Sequence, residues 1–429
     1  MTIIDLLLNV LHPLFSLFSA MYAFLLYSLY RLNFVSRIPS SAIILLPSPL
    51  GSLGDEAMLL AAVDYLKRQE IKNISVIDRT KDETYPVDAI PNIDLSGFLV
   101  YTGWYSFLTS LLPSVWKINR YERLYALGAD MMDGYYSDFA TFKTIKLVEI
   151  ASMLGLSTGI LGFSYNRQPT NLSKKLLGSL PSRTKLCARD KMSYQRLKNF
   201  VAHPANLVAD LAFLLQPIEQ SEILDKVVNW VDSQKNQNKI VVGLNIHALL
   251  VSRLEGVKIN DLVNVFVEAL TKLHYYNKQL SFVFLPHDIR TVKGVNDDIL
   301  LDKVMKGLSP EVADCCFQIP FPCRAREIKA IVKNLDCVVA GRMHLAIACL
   351  GQGTPIACIT YQGKFEGLYQ HFNLDPLLID PQELFVPNST KLVDLVQELI
   401  NQRESLHQRI MKKLPDVKKL AESNFDSII

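Results

Sequence analysis

Short apolar runs separated by amphipathic segments of helical period, in two successive series, constrain this chain more than any other feature. Runs at 42–46, 73–78, 98–101, 123–127, 158–162 and 185–188 read as strands, because each is too short for a buried helix and is bounded by polar or turn-forming residues. A second series follows at 240–246, 280–285, 337–340 and 356–361. Alternation of strand and helix predicts parallel sheets covered by helices on both faces. With 429 residues, the chain exceeds what one core ordinarily holds, so two α/β domains are expected.

The polar stretch 216–238, closing on Asp232-Ser-Gln-Lys-Asn-Gln-Asn-Lys239, reads as a solvated linker between them. The expected organisation is a hydrophobic helix over 1–40, a first domain over 41–225, a second over 238–380, and a charged helical tail over 381–429 that caps the body. Two such domains facing one another would leave a cleft at the carboxyl ends of their strands, where open parallel sheets take ligands.

The richest chemistry follows the run Asp336-Cys-Val-Val-Ala340. There Gly341, Arg342, Met343 and His344 precede the helical pattern Leu345-Ala-Ile-Ala-Cys-Leu350. A strand feeding a helix N-terminus presents unsatisfied N–H groups that favour an anion, and a guanidinium matches phosphate or carboxylate as a planar fork. Arg342 is therefore an expected anion clamp. His344 can hold or move a proton near neutral pH, which pure binding does not require. Each residue alone has an ordinary structural explanation, such as a cap or an ion pair. Their conjunction with Gly353-Thr-Pro355 and Lys364 favours a site.

Other classes are excluded by what the chain lacks. A net charge of +3 with no basic stripe gives no support to nucleic-acid binding. The seven cysteines, at 187, 315, 316, 323, 337, 349 and 358, form no C-x-x-C pair and lie in apolar patterns, so they read as reduced, buried thiols. No H-E-x-x-H, D-x-D or phosphate loop is present, so no metal site is expected.

Residues 6–30 carry no charge and are rich in aromatics, long enough to cross a bilayer core. Arg31 and Arg37 follow the run, so by charge asymmetry the bulk of the chain would face the cytoplasm. Asn9, His12 and Pro13 weaken its front. Membrane association is expected, with an interfacial helix or a helix buried against the body as competitors to a spanning one.

Four stretches occur in the order found in one family. They are Leu50-Gly-Ser-Leu-Gly54-Asp55-Glu56-Ala57, then Cys187-Ala-Arg189-Asp190 with Val208-Ala-Asp210 after it, then Val283-Phe-Leu-Pro286-His287-Asp288, and finally Gly341-Arg342-Met343-His344 through Tyr361-Gln-Gly-Lys364. Together they resemble the polysaccharide pyruvyl transferases over about residues 42–368. The chain departs from the family at Ala129, after Gly128, where a second glycine is common, and at Met343, where an aromatic residue or leucine is common.

The resemblance implies two Rossmann-like domains in a GT-B-like arrangement, one bringing the donor and the other the acceptor. It implies transfer of the enolpyruvyl group of phosphoenolpyruvate to a sugar of a polysaccharide or lipid-linked glycan, giving a pyruvate ketal and phosphate, with no cofactor. On this reading Arg342, His344, Lys364, Arg189 and His287 bind the donor. His344 either contacts the phosphate or supplies a proton. Asp130 and Asp133 orient sugar hydroxyls or act as base, and Asp55 and Glu56 lie on the acceptor side. Helix capping competes as the role of Asp55, Asp130 and Asp133. Asn245 and His247 are weaker candidates. The alternatives are a nucleotide-sugar glycosyltransferase of the same architecture and a non-catalytic glycan-binding member.

Overall fold

The computed structural model describes residues 3–32, 35–48, 51–77, 90–91, 93, 104–251, 254–291, 294–360 and 365–426. The chain forms two compact units. The first comprises Met1–Leu50, Ala62–Val208 and Glu422–Ile429, and the second Gly51–Ala61 and Ala209–Ala421. The division therefore falls at 208/209 rather than within 216–238. The segment 51–61, expected in the first domain, belongs to the second unit.

In the first unit the described elements are α1 (Ile3–Arg31), β1 (Ser41–Leu45), α2 (Leu53–Arg68, whose first residues lie in the second unit), β2 (Asn73–Ile77), α3 (Trp104–Asn119), β3 (Arg123–Ala129), α4 (Asp138–Met153), β4 (Ser157–Phe163), α5 (Asn171–Gly178), β5 (Lys185–Ala188), α6 (Lys191–Phe200) and β6 (Asn206–Leu207). Their strands form a parallel sheet in the order β2-β1-β3-β4-β5-β6. All five residues of β1 are buried, the signature of a strand covered on both faces. The strand expected at 98–101 lies outside the described residues.

The second unit continues with α7 (Glu222–Lys235), β7 (Ile240–Leu244), α8 (Ile259–Tyr276), β8 (Leu280–Phe284), α9 (Asp297–Gly307), α10 (Pro310–Ala313), β9 (Cys316–Gln318), α11 (Ala325–Val332), β10 (Cys337–Ala340), α12 (Met343–Leu350), β11 (Ile356–Ile359), α13 (Phe365–His371), β12 (Leu378–Ile379) and α14 (Lys391–Glu422). Its sheet is also parallel, in the order β12-β11-β10-β7-β8-β9.

The expected linker is instead helix α7. Ser221 caps it by accepting from the Leu224 N–H, and Leu224, Val227, Val231 and Gln234 turn inward. These inward positions recur at three, four and three residues, an amphipathic stripe hidden among polar neighbours. The charged tail folds as α14, with Leu399, Ile410 and Val417 among its buried residues. After it, Phe425 returns to the first unit and stacks on Tyr65, with ring centroids 4.5 Å apart.

Helix α1 is packed on the first unit rather than free. Ala23 and Leu26 are buried in its core, and Tyr27 lies against Gly155, where an added Cβ would come within 2.7 Å of the ring. Arg37 is not an exposed flanking charge. It lies over the Tyr30 ring at 3.9 Å and donates to the Asn119 carbonyl, and burial lowers its pKa. No helix among the described residues is long and apolar enough to cross a membrane.

Ala129 ends β3 at φ +44°, in the left-handed region. An L residue there costs about 1–2 kcal/mol, and glycine returns part of that gain by loosening the unfolded chain. Ala129→Gly should therefore stabilise the first unit by about 0.5–1 kcal/mol, read as a rise of about 1–4 °C in its melting temperature. An unchanged or lower midpoint would mean that the strand end carries no strain.

Candidate active site

In the second sheet β8 and β9 lie on one side of β7, while β10, β11 and β12 lie on the other. The chain direction thus reverses between β7 and β10, the kind of crevice where open α/β sheets bind ligands. The residues that follow these strands carry the chemistry: Asn245 and His247 after β7, His287 and Asp288 after β8, and Gly341, Arg342 and His344 after β10. Gly51–Glu56 joins them. The Leu53 N–H donates to the His287 carbonyl, and the Ile289 N–H to the Gly51 carbonyl, so Ser52 and Asp288 form an antiparallel bridge. Three of the four sequence motifs meet here, and Asp210 from the stretch Val208-Ala-Asp210 comes with them.

Arg342 does not present an uncommitted cation. Its Nε and Nη2 donate to the two oxygens of Asp297, at 3.0 and 2.6 Å, and its Nη1 donates to Asp288 Oδ2 at 2.9 Å. Burial alone would lower the guanidinium, but Asp297 and Asp288 more than offset it and hold it above its ordinary value. Asp288 also accepts from Arg290, and despite burial its carboxyl is held below the usual range by Arg290 and Arg342. Asp297 is fully buried, and burial raises its carboxyl against the pull of Arg342. It accepts additionally from Asn245 Nδ2 at 3.2 Å and from the His287 N–H at 3.1 Å. The expected clamp is therefore a hub that fixes the ends of β7, β8 and β10, with 15 % of its side chain still exposed.

His344 sits in the first turn of α12. Its Nε2 lies 3.6 Å from Asp210 Oδ2 and has no hydrogen-bond partner among the described residues. Asp210 is 2 % exposed and also accepts from the Ala212 N–H, which fixes its carboxylate. Gly54 backs the imidazole so closely that a Cβ there would stand 2.2 Å from Nδ1. The loop glycine thus serves close approach to a ring. Gly51, at φ +129°, needs its missing side chain for backbone reasons as well. Behind the Asp210 loop, Lys329 donates to the Ala212 and Phe213 carbonyls at 2.8 and 3.2 Å, and burial pulls its amine down to about 7.

His287 is 3 % exposed, and neither ring nitrogen has a hydrogen-bond partner among the described residues. Burial lowers its pKa to about 3, helped by His344 and Arg342 and opposed by Asp288. It is therefore neutral near pH 7. Asn245 Oδ1, in the same cluster, also lacks a partner among the described residues. His247 is neutral for the same reason of burial, with Arg342 adding to it, and Nε2 donates to the Gly341 carbonyl at 2.8 Å. Buried polar atoms without protein partners are places for water or ligand.

The buried His287 gives a signed pH dependence. The unfolded chain takes up this proton near pH 6.5 and the native state only near pH 3, so between these values the unfolded state binds more protons and stability rises with pH. Acidification through that window should destabilise the second unit. His287→Gln should flatten the slope between about pH 7 and pH 5, measured as urea midpoints, and an unchanged slope would contradict the burial argument.

Asp55 and Glu56, expected on the acceptor side, face cations of their own unit. Glu56, 2 % exposed, accepts from the Ala325 N–H at the start of α11 and lies 3.6 Å from Arg324. Asp55 lies 3.8 Å from Arg290. Ser52 caps α2, its Oγ accepting from the Asp55 N–H and its carbonyl from the Glu56 N–H. Lys364 lies outside the described residues.

The other expected site residues belong to the first unit. Its own chain reversal, among the described strands, falls between β1 and β3, and the turn after β3 carries Asp130 and Asp133. Asp133 accepts from the Tyr135 and Asn166 N–H groups and thereby stiffens the turn. Asp130 Oδ2 accepts from the Tyr136 hydroxyl at 3.0 Å. Tyr135 and Tyr136 stand 44 % and 46 % exposed, edge to face. Arg189 is 3 % exposed and donates through Nε to Ser164 Oγ at 2.7 Å. Sequence reasoning assigned no role to Asp210, Arg290 or Asp297, or to this tyrosine pair. A signal existed only for Asp210, which lies inside a quoted motif.

Among the described residues no group of three or more His, Cys, Asp or Glu side chains is placed to hold a metal ion. The fold is similar to several solved structures. A Listeria monocytogenes protein assigned as a UDP-N-acetylglucosamine 2-epimerase matches at 13 % identity and a TM-score of 0.55, over 89 % of this chain and 94 % of the other. MnaA of S. aureus, solved with UDP, matches at 13 % and 0.54 over 89 % and 94 %. The α,α-trehalose 6-phosphate synthase of Burkholderia multivorans matches at 10 % and 0.53 over 91 % and 97 %. At such identities the likeness concerns the fold alone, an α/β fold with two parallel sheets that matches GT-B-like structures. None of the curated proteins matches. The model of one family, polysaccharide pyruvyl transferase, matches residues 53–363, a span that begins at the start of α2 and takes in the turn after β3 and the residues after β7, β8 and β10. The chain is thus a transferase, and it belongs to the polysaccharide pyruvyl transferase family.

Proposed function

We propose that the protein moves the enolpyruvyl group of phosphoenolpyruvate onto two hydroxyls of a sugar, releasing phosphate and leaving a pyruvate ketal. The observation that carries this reading is His344, set at the N-terminus of α12 and facing Asp210 at 3.6 Å. On this reading His344 is the acid that protonates the methylene carbon of the donor. The first sugar hydroxyl then adds to the resulting oxocarbenium carbon. The second displaces phosphate, and its proton leaves with the phosphate or with a base.

On this reading the N–H groups of the first turn of α12 and the exposed part of Arg342 meet the anionic donor, since a helix start and a guanidinium both favour negative charge. The neutral ring of His287 contributes a hydrogen bond without adding charge.

Phosphate release from phosphoenolpyruvate, driven by methyl glycosides with free 4,6-diols, is the direct test. Mass spectrometry of the glycoside should show the ketal. His344→Ala should remove turnover by about 100-fold or more, and Asp210→Asn by a smaller factor. Consumption of a nucleotide sugar, with no phosphate release from phosphoenolpyruvate, would overturn the proposal.

A further inference from the structure

Over residues 17–32, α1 and the residue after it present two apolar faces, and among the described residues the fold buries one of them. Ala23 and Leu26 are buried in the core of the first unit, with Tyr22 and Leu29 packed beside them. The opposite face carries Leu17, Phe18, Met21, Phe24, Leu25 and Leu32, exposed by 61, 53, 65, 70, 54 and 66 %. At 3.6 residues per turn these six fall within about 120° of one another, a stripe along the helix. Helix α3 packs beside α1 and adds Leu112 and Trp116, one turn apart and exposed by 39 and 45 %. Exposed apolar side chains in this number on one folded unit mark a contact with another phase or partner.

We propose that this face lies on an anionic lipid surface, with α1 in the plane of the interface. Three observations select lipid. The charged side chains of 17–32 and 109–120 are Arg31, Lys117 and Arg120, all cationic and all exposed, with no acid among them. That is the charge pattern of a helix that lies on anionic headgroups. Trp116, exposed by 45 % and next to Lys117 in the chain, is the residue type that bridges hydrocarbon and water at an interface. The in-plane orientation follows from the buried face: with Ala23 and Leu26 inside the core, lipid can meet only one side of this part of the helix, so it cannot be surrounded by acyl chains. Over residues 17–30 the uncharged run is thereby divided between the protein core and a surface.

Flotation of the full chain with vesicles tests this. Vesicles of phosphatidylcholine with one third phosphatidylglycerol should carry the protein up the gradient, and pure phosphatidylcholine should carry much less. The variant Phe18→Gln/Phe24→Gln/Leu25→Gln changes only exposed side chains and should keep its melting temperature while losing about tenfold or more of the vesicle-bound fraction. Lys117→Glu/Arg120→Glu should lose the preference for anionic vesicles. Absence of wild-type flotation, or equal flotation of the glutamine variant, would overturn the proposal. So would a wild-type dimer in sedimentation equilibrium without lipid that becomes a monomer in the glutamine variant, because the face would then belong to a second copy. Turnover on a soluble glycoside is read separately, so loss of the pyruvyl transfer reading leaves this result standing.

Discussion

Replacing Arg342 by alanine is expected to destabilise the second unit by about 3–5 kcal/mol, the cost of leaving buried charge without its counterion, before any ligand is considered. Asp297 is 1 % and Asp288 4 % exposed at the side chain. Both would keep a desolvated carboxylate with one cation removed, or take up a proton and lose the hydrogen bonds that set the ends of β8 and β10. Arg342→Lys should recover only part of the loss, because an ammonium cannot bridge two carboxylates with three separate N–H groups. Asp297→Ala should cost a similar amount, for it leaves the buried guanidinium with Asp288 alone and also removes the acceptor of the His287 N–H. The two single losses should not add, since they break one network. Urea denaturation of the single and double variants reads all of this. A wild-type midpoint in Arg342→Ala would show that the hub is dispensable, and loss of turnover would then have to be explained by ligand binding.

Gly54→Ala is expected to lower kcat/KM by about 100-fold, the order of loss that follows a misplacement of about 1 Å at a catalytic group. In the first turn of α2, alanine would ordinarily gain about 0.5–1 kcal/mol over glycine. Here its Cβ would stand 2.2, 2.4 and 2.6 Å from Nδ1, Cγ and Cβ of His344, so either the imidazole swings away from Asp210 or the helix start retreats. Either movement changes the separation of His344 from Asp210, on which the proposed role of His344 depends. Gly54→Ala/His344→Ala removes the collision, and it should be at least as stable as His344→Ala alone. A double-mutant cycle on stability should therefore show clear coupling between positions some 290 residues apart. Full activity in Gly54→Ala would mean that the position of His344 does not set the rate.

The parallel strands were legible because each is a short apolar run cut off by a polar or turn-forming residue. The runs 185–188 and 337–340 coincide with β5 and β10, and the other described runs differ by a residue or two at their ends. Edge strands β6, β9 and β12, of two or three residues, were not. At that length periodicity carries no information, and pairing with a neighbour decides whether the segment is a strand. Helix α7 was missed for the opposite reason, because its exposed face supplied so many polar residues that the inward stripe was submerged. The route of Gly51–Ala61 into the second unit has no local signature at all.

In the site, sequence singled out Arg342, His344, His287 and the glycine loop as chemically unusual, and the fold brought all four together. An ion pair was an open reading of Arg342, but nothing local named its partners. Asp297 stands 45 residues before it in a stretch whose only evident local feature is a helix start, and a carboxylate there reads as a capping-turn acid. Glu56 likewise reads as a first-turn acid of α2, yet its acceptor serves a helix start 269 residues away.

What the amino-acid sequence determined by itself was therefore the kind of layer each segment builds and which residues have the chemistry to act. Both follow from local properties, the spacing of apolar side chains and the identity of polar ones. The tertiary structure alone decided which charges cancel, which imidazole nitrogens lack a partner among the described residues, and that a glycine exists to make room for a ring. These depend on distances through space between residues far apart in the chain, and at a few ångströms in a buried site such distances, rather than composition, set charge, protonation and reach.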